Sequence, residues 1–380
     1  MLTLIKNAQI YAPQYLGYKD ILIGAEKIIA LQDHIDAHAM IDTVIDAQGK
    51  IVTAGFIDQH VHIIGAGGKH GFASMTPEIM LSELLSCGTT TVVGLLGTDG
   101  TARSIKTLYA KTKALTEEGI SAYMLTSYFS IDPVTITSSI QDDLVFIDKV
   151  IGCKVAISEE RSSYPTVEEL LKHLREVRVG GMIAGKKGIL HIHLGKLTTY
   201  IDLLMEIVEK YEFPIENISP THVARTKALF DQSLEFAKKG GMIDITTGGT
   251  KYTDPYQSVL YALDQGVPID RLTFSSDGNA GLEKKDESGK MIGFRKAPIA
   301  LNYAEFKALV KVGGLPVEQA IRLITCNPAH NLALKSKGRI AVGLDADFCF
   351  MDEQLELTDV IARGKLMMLD GKIVTKGHFE

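Results

Sequence analysis

The stretch IVTAGFIDQHVH, residues 51–62, decides how this chain is read. A run of apolar and small residues ends in two histidines one position apart. In an extended strand, residues i and i+2 share a face, so His60 and His62 point the same way. Neutral imidazole is a common metal ligand, and two aimed together suit one ion. By itself the pair also suits two unrelated polar residues, a common chance occurrence, so the rest of the chain has to separate the readings.

Seven further short apolar runs follow it: TTTVVGLLG (89–97), SAYMLTSYF (121–129), KVAIS (154–158), GILHIHLG (188–195), ISPTHV (218–223), GMIDITT (241–247) and LTFSSDG (272–278). Between them lie amphipathic stretches such as TVEELLKHLREVRVGG (166–181), YIDLLMEIVEKYE (200–212) and ALFDQSLEFAKKGG (228–241), two of which end in glycine as helix C-termini often do. Strands alternating with helices imply parallel pairing through crossover helices. Eight of them predict a (β/α)8 TIM barrel. An open doubly wound sheet is the alternative, but no glycine-rich dinucleotide fingerprint follows the first strand. The chain ends differ in rhythm. Residues 2–11, 19–32, 346–352 and 361–377 read as short antiparallel strands, with turns at 24–27 and 370–371. They predict a small β-sandwich domain of residues 1–52 plus 338–380, flanking a barrel of residues 53–337.

Composition excludes several function classes. The chain has 380 residues, 46% of them hydrophobic, and a formal net charge of −6. That balance argues against nucleic acid as the main partner, since phosphate binding needs a basic face. No apolar run approaches membrane-spanning length. The first twenty residues lack a basic segment followed by a long apolar run, so no secretory leader is expected. Cys87, Cys153, Cys326 and Cys349 show no CxxC spacing and read as reduced and buried, consistent with a cytoplasmic protein.

In such a barrel the C-terminal strand ends form one rim, where catalytic groups gather. His60 and His62 end the first run, Lys154 opens the fourth, and His193, His222 and Asp277 sit in the fifth, sixth and eighth. His191 shares a face with His193 but lies deeper, as a packed or supporting group. Imidazoles and an aspartate suit divalent zinc, and two ions about 3.5–4 Å apart can share an activated hydroxide. A lysine among cations is easily deprotonated, so Lys154 could add carbon dioxide and bridge both ions as a carbamate. An ordinary ion pair of Lys154 with Asp277 or Glu159 is the alternative.

The motifs GFIDQHVH (55–62), VVGLLGTDG (92–100), VIGCKVAIS (150–158), PTHVAR (220–225) and SSDGN (275–279), with the closing RGKLMMLDGKIVTKGHFE (363–380), resemble the isoaspartyl dipeptidases of the amidohydrolase superfamily. The resemblance covers almost the whole chain. It implies a binuclear zinc hydrolase that cleaves β-aspartyl dipeptides. His60, His62 and Asp277 would hold one ion, His193 and His222 the other, and carboxylated Lys154 would bridge them. Asp277 would also act as the catalytic proton carrier. Arg161 and Arg225 match arginines that hold substrate carboxylates, and Thr98 matches another substrate contact. A homo-oligomer is implied by the resemblance alone.

Three positions depart from the family pattern. Lys69 replaces a glutamate that receives the substrate's α-ammonium, Phe129 a tyrosine that polarises the scissile carbonyl, and Gly281 a serine that touches substrate. Tyr128, beside Phe129, could replace the lost hydroxyl only if the strand has ended or bulged there. These departures support an alternative: a related amidohydrolase acting on an anionic, amine-blocked substrate, whether N-acyl, N-carbamoyl or a cyclic amide.

Overall fold

The computed structural model describes all 380 residues. The N-terminal segment contributes β1 (Leu2–Tyr11), β2 (Tyr15–Gly24), β3 (Lys27–Gln32), β4 (Thr43–Asp46) and β5 (Ile51–Ala54). The barrel comprises β6 (Phe56–Val61), β7 (Thr89–Gly94), β8 (Ser121–Thr126), β9 (Val150–Ile157), β10 (Ile189–Leu194), β11 (Ile218–Thr221), β12 (Ile243–Thr246) and β13 (Leu272–Ser275). A hairpin of β14 (Gly281–Lys285) and β15 (Met291–Lys296) follows, and then β16 (Phe348–Met351), β17 (Leu357–Ala362), β18 (Lys365–Leu369) and β19 (Lys372–Ile373).

The eight barrel strands pair in parallel in sequence order, and a bridge between Val61 and Gly278 brings the first strand back to the segment after the last. Every residue of all but one of these strands is buried, and Tyr123 on β8 is the single partly buried one. That two-sided burial explains their near-continuous apolar runs. The helices shield the outside. In the helix Val167–Ala184, Thr166 and Glu169 form a capping box, and Gly185 closes the last turn at φ 68°. Its Leu170, Leu174 and Val177 face the 62-residue core.

Strands from both chain ends form one nine-stranded sheet, in the order β19-β18-β17-β16-β5-β1-β2-β3, with β4 also on β1. A bulge between Ile5 and Ala8 divides β1, so its first half pairs with β4 and its second with β5. The two parts enclose a separate core of Ile5, Ile10, Ile21, Val52, Phe348 and Phe350, among others. This is the sandwich expected from the alternating ends.

Three features differ from the expectation. The run 51–62 divides at Gly55: β5 belongs to the small sheet and β6 to the barrel. A Cβ on Gly55 would lie 2.1 Å from Thr90 Oγ1, so only glycine allows the handover here. The fourth barrel strand starts at Val150, not at Lys154. Lys154 is therefore mid-strand, and its long stem carries the amine toward the mouth. The hairpin β14–β15 was not foreseen, because its mixed charged and apolar residues show no clean period.

Candidate metal centre

The C-terminal strand ends bring His60, His62 and Asp277 together, with one ligand-capable atom of each within 4.8 Å of the others. Asp277 Oδ1 lies 3.4 Å from His60 Nε2 and 3.2 Å from His62 Nε2. Lys154 Nζ stands 3.4 Å from His60 Nε2. The His222 ring lies 4.9 Å from that of His60 and 4.4 Å from that of His193, centroid to centroid. These six side chains, from β6, β9, β10 and the ends of β11 and β13, face one cavity.

Local backbone aims two of them. His222 (φ 64°) and Asp277 (φ 52°) both adopt left-handed conformations just past their strands, which non-glycine residues hold only when neighbours fix them. For Asp277 the fixing group is Asp58, two residues before His60. It accepts hydrogen bonds from the Ser276 amide (3.2 Å) and hydroxyl. Burial pushes the Asp58 carboxyl up to about 7 even so. The His62 amide adds a bond to the Gly278 carbonyl at 2.9 Å.

A layer below the rim orients the rings. His60 Nδ1 is 2.9 Å from His191 Nε2, and His191 Nδ1 is 3.2 Å from Ser219 Oγ. His222 Nδ1 is 2.6 Å from Thr246 Oγ1. With each Nδ1 engaged, the Nε2 atoms of His60 and His222 are left facing the cavity. His191 thus sits beneath the mouth, in contact with His60. Burial holds His60, His193 and His222 well below the usual histidine range, helped by Lys154 at His60 and by Arg225 and Lys154 at the other two. Burial also pushes Lys154 down to about 7, only partly opposed by Asp277 and Asp244. The residues therefore fit a divalent ion: imidazoles and a carboxylate face the cavity, and an amine that readily loses its proton stands beside His60. Neither of the alternative ion pairs of Lys154 forms: Asp277 faces His60 and His62, and Glu159 turns to Arg161.

The other predicted residues line the same cavity. Lys69, Thr98, Phe129, Arg161, Arg225 and Gly281 share its walls with the six above. Arg225 is 3.3 Å from His193 Nε2, by its Nη2. The Phe129 ring lies 4.4 Å from that of His193, with the Arg161 guanidinium 5.8 Å from its centre. Lys69 is half-buried; burial and the charges of Arg161 and Arg225 lower its pKa, ahead of the opposing pull of Glu159 and Glu283. Tyr128 lies beyond the end of β8, yet its ring packs against Gly100 and does not line the cavity. Gly281 brings the hairpin against the loop that carries Lys69: a Cβ there would lie 3.2 Å from Gly67 Cα.

Glu159 was missed as a site residue. Its Oε1 accepts from Arg161 Nε at 2.7 Å, and its Oε2 lies 3.5 Å from His193 Nε2. Burial would raise its pKa, but the bond and charge of Arg161, with Arg225 beyond, outweigh that and lower it. The available signal was its place two residues before Arg161 on a strand-end loop. Asp58 and Thr246 were also missed; small polar residues in buried strands carry no pattern of their own.

The sequence model of the amidohydrolase family matches residues 51–374. The chain belongs to the amidohydrolase family. Among solved structures, this amidohydrolase is similar to the β-aspartyl dipeptidase of Fervidobacterium islandicum AW-1 in complex with β-Asp-Leu dipeptide. The two are 41% identical, with 98% of each chain covered and a TM-score of 0.90. A second structure of that enzyme gives 40% identity over the same coverage and a TM-score of 0.91. The resemblance to isoaspartyl dipeptidases therefore holds over nearly the whole chain. A dihydroorotase of Lactobacillus johnsonii is 23% identical over 93% of this chain and 89% of its own.

Proposed function

We propose that this amidohydrolase is a binuclear zinc enzyme that hydrolyses the amide bond of β-aspartyl dipeptides. The observation that carries the reading is a single cavity holding the His60–His62–Asp277 cluster, Lys154, two further histidines and two arginines. Its likeness to a dipeptidase crystallised with β-Asp-Leu supports the choice of substrate. His60, His62 and Asp277 would hold one ion and His193 and His222 the other, with Lys154 as its carbamate between them. Bound zinc would supply Lewis acidity at the scissile carbonyl and a water acidic enough to attack at neutral pH.

The protein's own groups do the rest. Arg161 and Arg225 bind and orient the substrate carboxylates, as guanidinium forks do. Glu159 holds Arg161 at its Nε, so that the outer nitrogens remain for substrate. Asp277 Oδ1 faces the two imidazoles, while Oδ2 is directed toward Gly249 in the cavity wall. From there it takes the proton of the attacking water and delivers it to the departing amine. Burial brings the Lys154 amine down to about 7, so a sizeable share is unprotonated near neutrality, the form that can add carbon dioxide.

A specific observation favours the second reading. Lys69 faces the cavity among Arg161 and Arg225, and those arginines are its strongest charged neighbours. A free α-ammonium would meet repulsion there, whereas an acylated or carbamoylated nitrogen would not. Steady-state kinetics of the zinc-loaded enzyme on β-Asp-Leu and its N-acetyl derivative test both readings. Hydrolysis of β-Asp-Leu with the higher kcat/KM upholds the dipeptidase. A clear preference for the N-acetyl form moves the function to amine-blocked substrates, and no hydrolysis of either rejects both.

A further inference from the structure

A second opening lies at the other end of the barrel, beside the N-terminal end of β13. Three parts of the chain meet there: Pro13 and Gln14 from the β1–β2 turn, Asp270 and Arg271 ahead of β13, and the segment 322–339. Arg271, Arg322 and Arg339 line about 730 Å³ of open space, mouth included. One carboxylate, Asp270, accompanies them and sits 3.9 Å from Arg271. Arg271 gives one N–H to the Gly240 carbonyl at 2.9 Å. Arg322 Nε is shut off from solvent and has no hydrogen-bond acceptor. Three guanidiniums against one carboxylate in a concave wall leave a positive field without a counter-charge. A buried donor without a partner is costly. Arg339 and His330 also line an adjoining space of about 1210 Å³, whose walls are part apolar, with Leu334, Val342 and Leu344, and part charged, with Lys187, Glu216 and Lys335. The cationic opening therefore runs into a larger space with an apolar face.

We infer that this pair of spaces is a second ligand site, for a nucleotide-sized phosphate ester whose phosphates meet Arg271, Arg322 and Arg339 and whose apolar body fills the adjoining space. Guanidinium forks match phosphate oxygens bidentately, and a mostly apolar wall with a few convergent polar groups is the usual form of a small-molecule site. The inference stands apart from the reaction proposed above.

Calorimetric titration of the full chain with inorganic pyrophosphate and with ADP tests it. Because the catalytic cavity is also cationic, Arg225→Gln serves as the control for binding there. The expected result is that wild type and R225Q bind both ligands, ADP more tightly, and that the R322Q/R339Q double variant weakens both by roughly tenfold or more. The exposed Arg339→Gln alone, which leaves the fold untouched, should show part of the same loss. Unchanged affinity in the double and single variants overturns the site. So does binding that disappears in R225Q, and ADP binding no tighter than pyrophosphate removes the apolar half of the ligand.

Discussion

Phe129 presses its ring against His193 and offers the cavity no hydroxyl. Removing one such donor costs about 10²–10³ in kcat in enzymes that rely on it. Phe129→Tyr should therefore raise kcat on β-Asp-Leu by up to about 10²-fold, with steady-state rates as the check; an unchanged kcat would show that no donor is missing there. Lys69→Glu should lower KM for the free dipeptide and raise it for its N-acetyl form, and parallel shifts for both would remove Lys69 from substrate recognition. Asp277→Asn keeps the shape but removes the proposed proton carrier. It should cost ~10³-fold or more in kcat, with far-UV circular dichroism unchanged. At this scale the residue types that end the strands were legible, because histidine, lysine and aspartate at apolar strand ends have few structural uses. Glu159 and Asp58 were not, because their importance lies in whom they touch: Arg161 and His193 for one, Ser276 for the other.

Between β6 and β13, where the backbone supplies a single bridge from Val61 to Gly278, the barrel closes largely through side chains. Asp58 on β6 accepts both the amide and the hydroxyl of Ser276, just after β13. Asp58→Ala would leave these two donors and the His60 amide buried without a partner, at a cost of about 1–3 kcal/mol per unmet group. Urea unfolding should show that loss, together with reduced zinc retention as Asp277 loses its aim; normal stability with full zinc content would refute this coupling. The elements themselves were largely legible: eight buried apolar runs, capped amphipathic helices and alternating ends. What stayed hidden was geometry without local pattern. The division at Gly55 depends on Thr90, which is distant in sequence. The early start of β9 at Val150 depends on pairing with β8 and β10. The hairpin β14–β15 is charged along much of its length and gives no period to read.

Across the whole molecule, a buried ion cluster where the barrel segment meets the C-terminal strands carries its own pH signature. Lys337 is buried beside Asp347 and Asp345, 2.8 Å from the latter. Burial would lower its pKa, but the two aspartates outweigh burial and raise it. Burial would raise Asp345, but Lys337 and hydrogen bonds from Lys27, Lys337 and Ser336 outweigh it and lower the carboxyl. A raised lysine stabilises fully below its unfolded value of about 10.4 and loses that contribution as pH rises through the folded value. A lowered aspartate stabilises above its unfolded value of about 3.9 and loses that contribution as pH falls through the folded one. Calorimetric scans should therefore show Tm falling on both the acid and the alkaline side, with both slopes shallower in Lys337→Met; identical slopes would discount the cluster. The barrel depends on a different convergence, that of side chains from β6, β9, β10 and the ends of β11 and β13 on one point. Anomalous scattering at the zinc edge, from crystals of the zinc-saturated protein, tests it most directly. The prediction is two peaks among His60, His62, Lys154, His193, His222 and Asp277, with extra planar density on the Lys154 amine; zinc-saturated crystals with no anomalous peak among those side chains would contradict it.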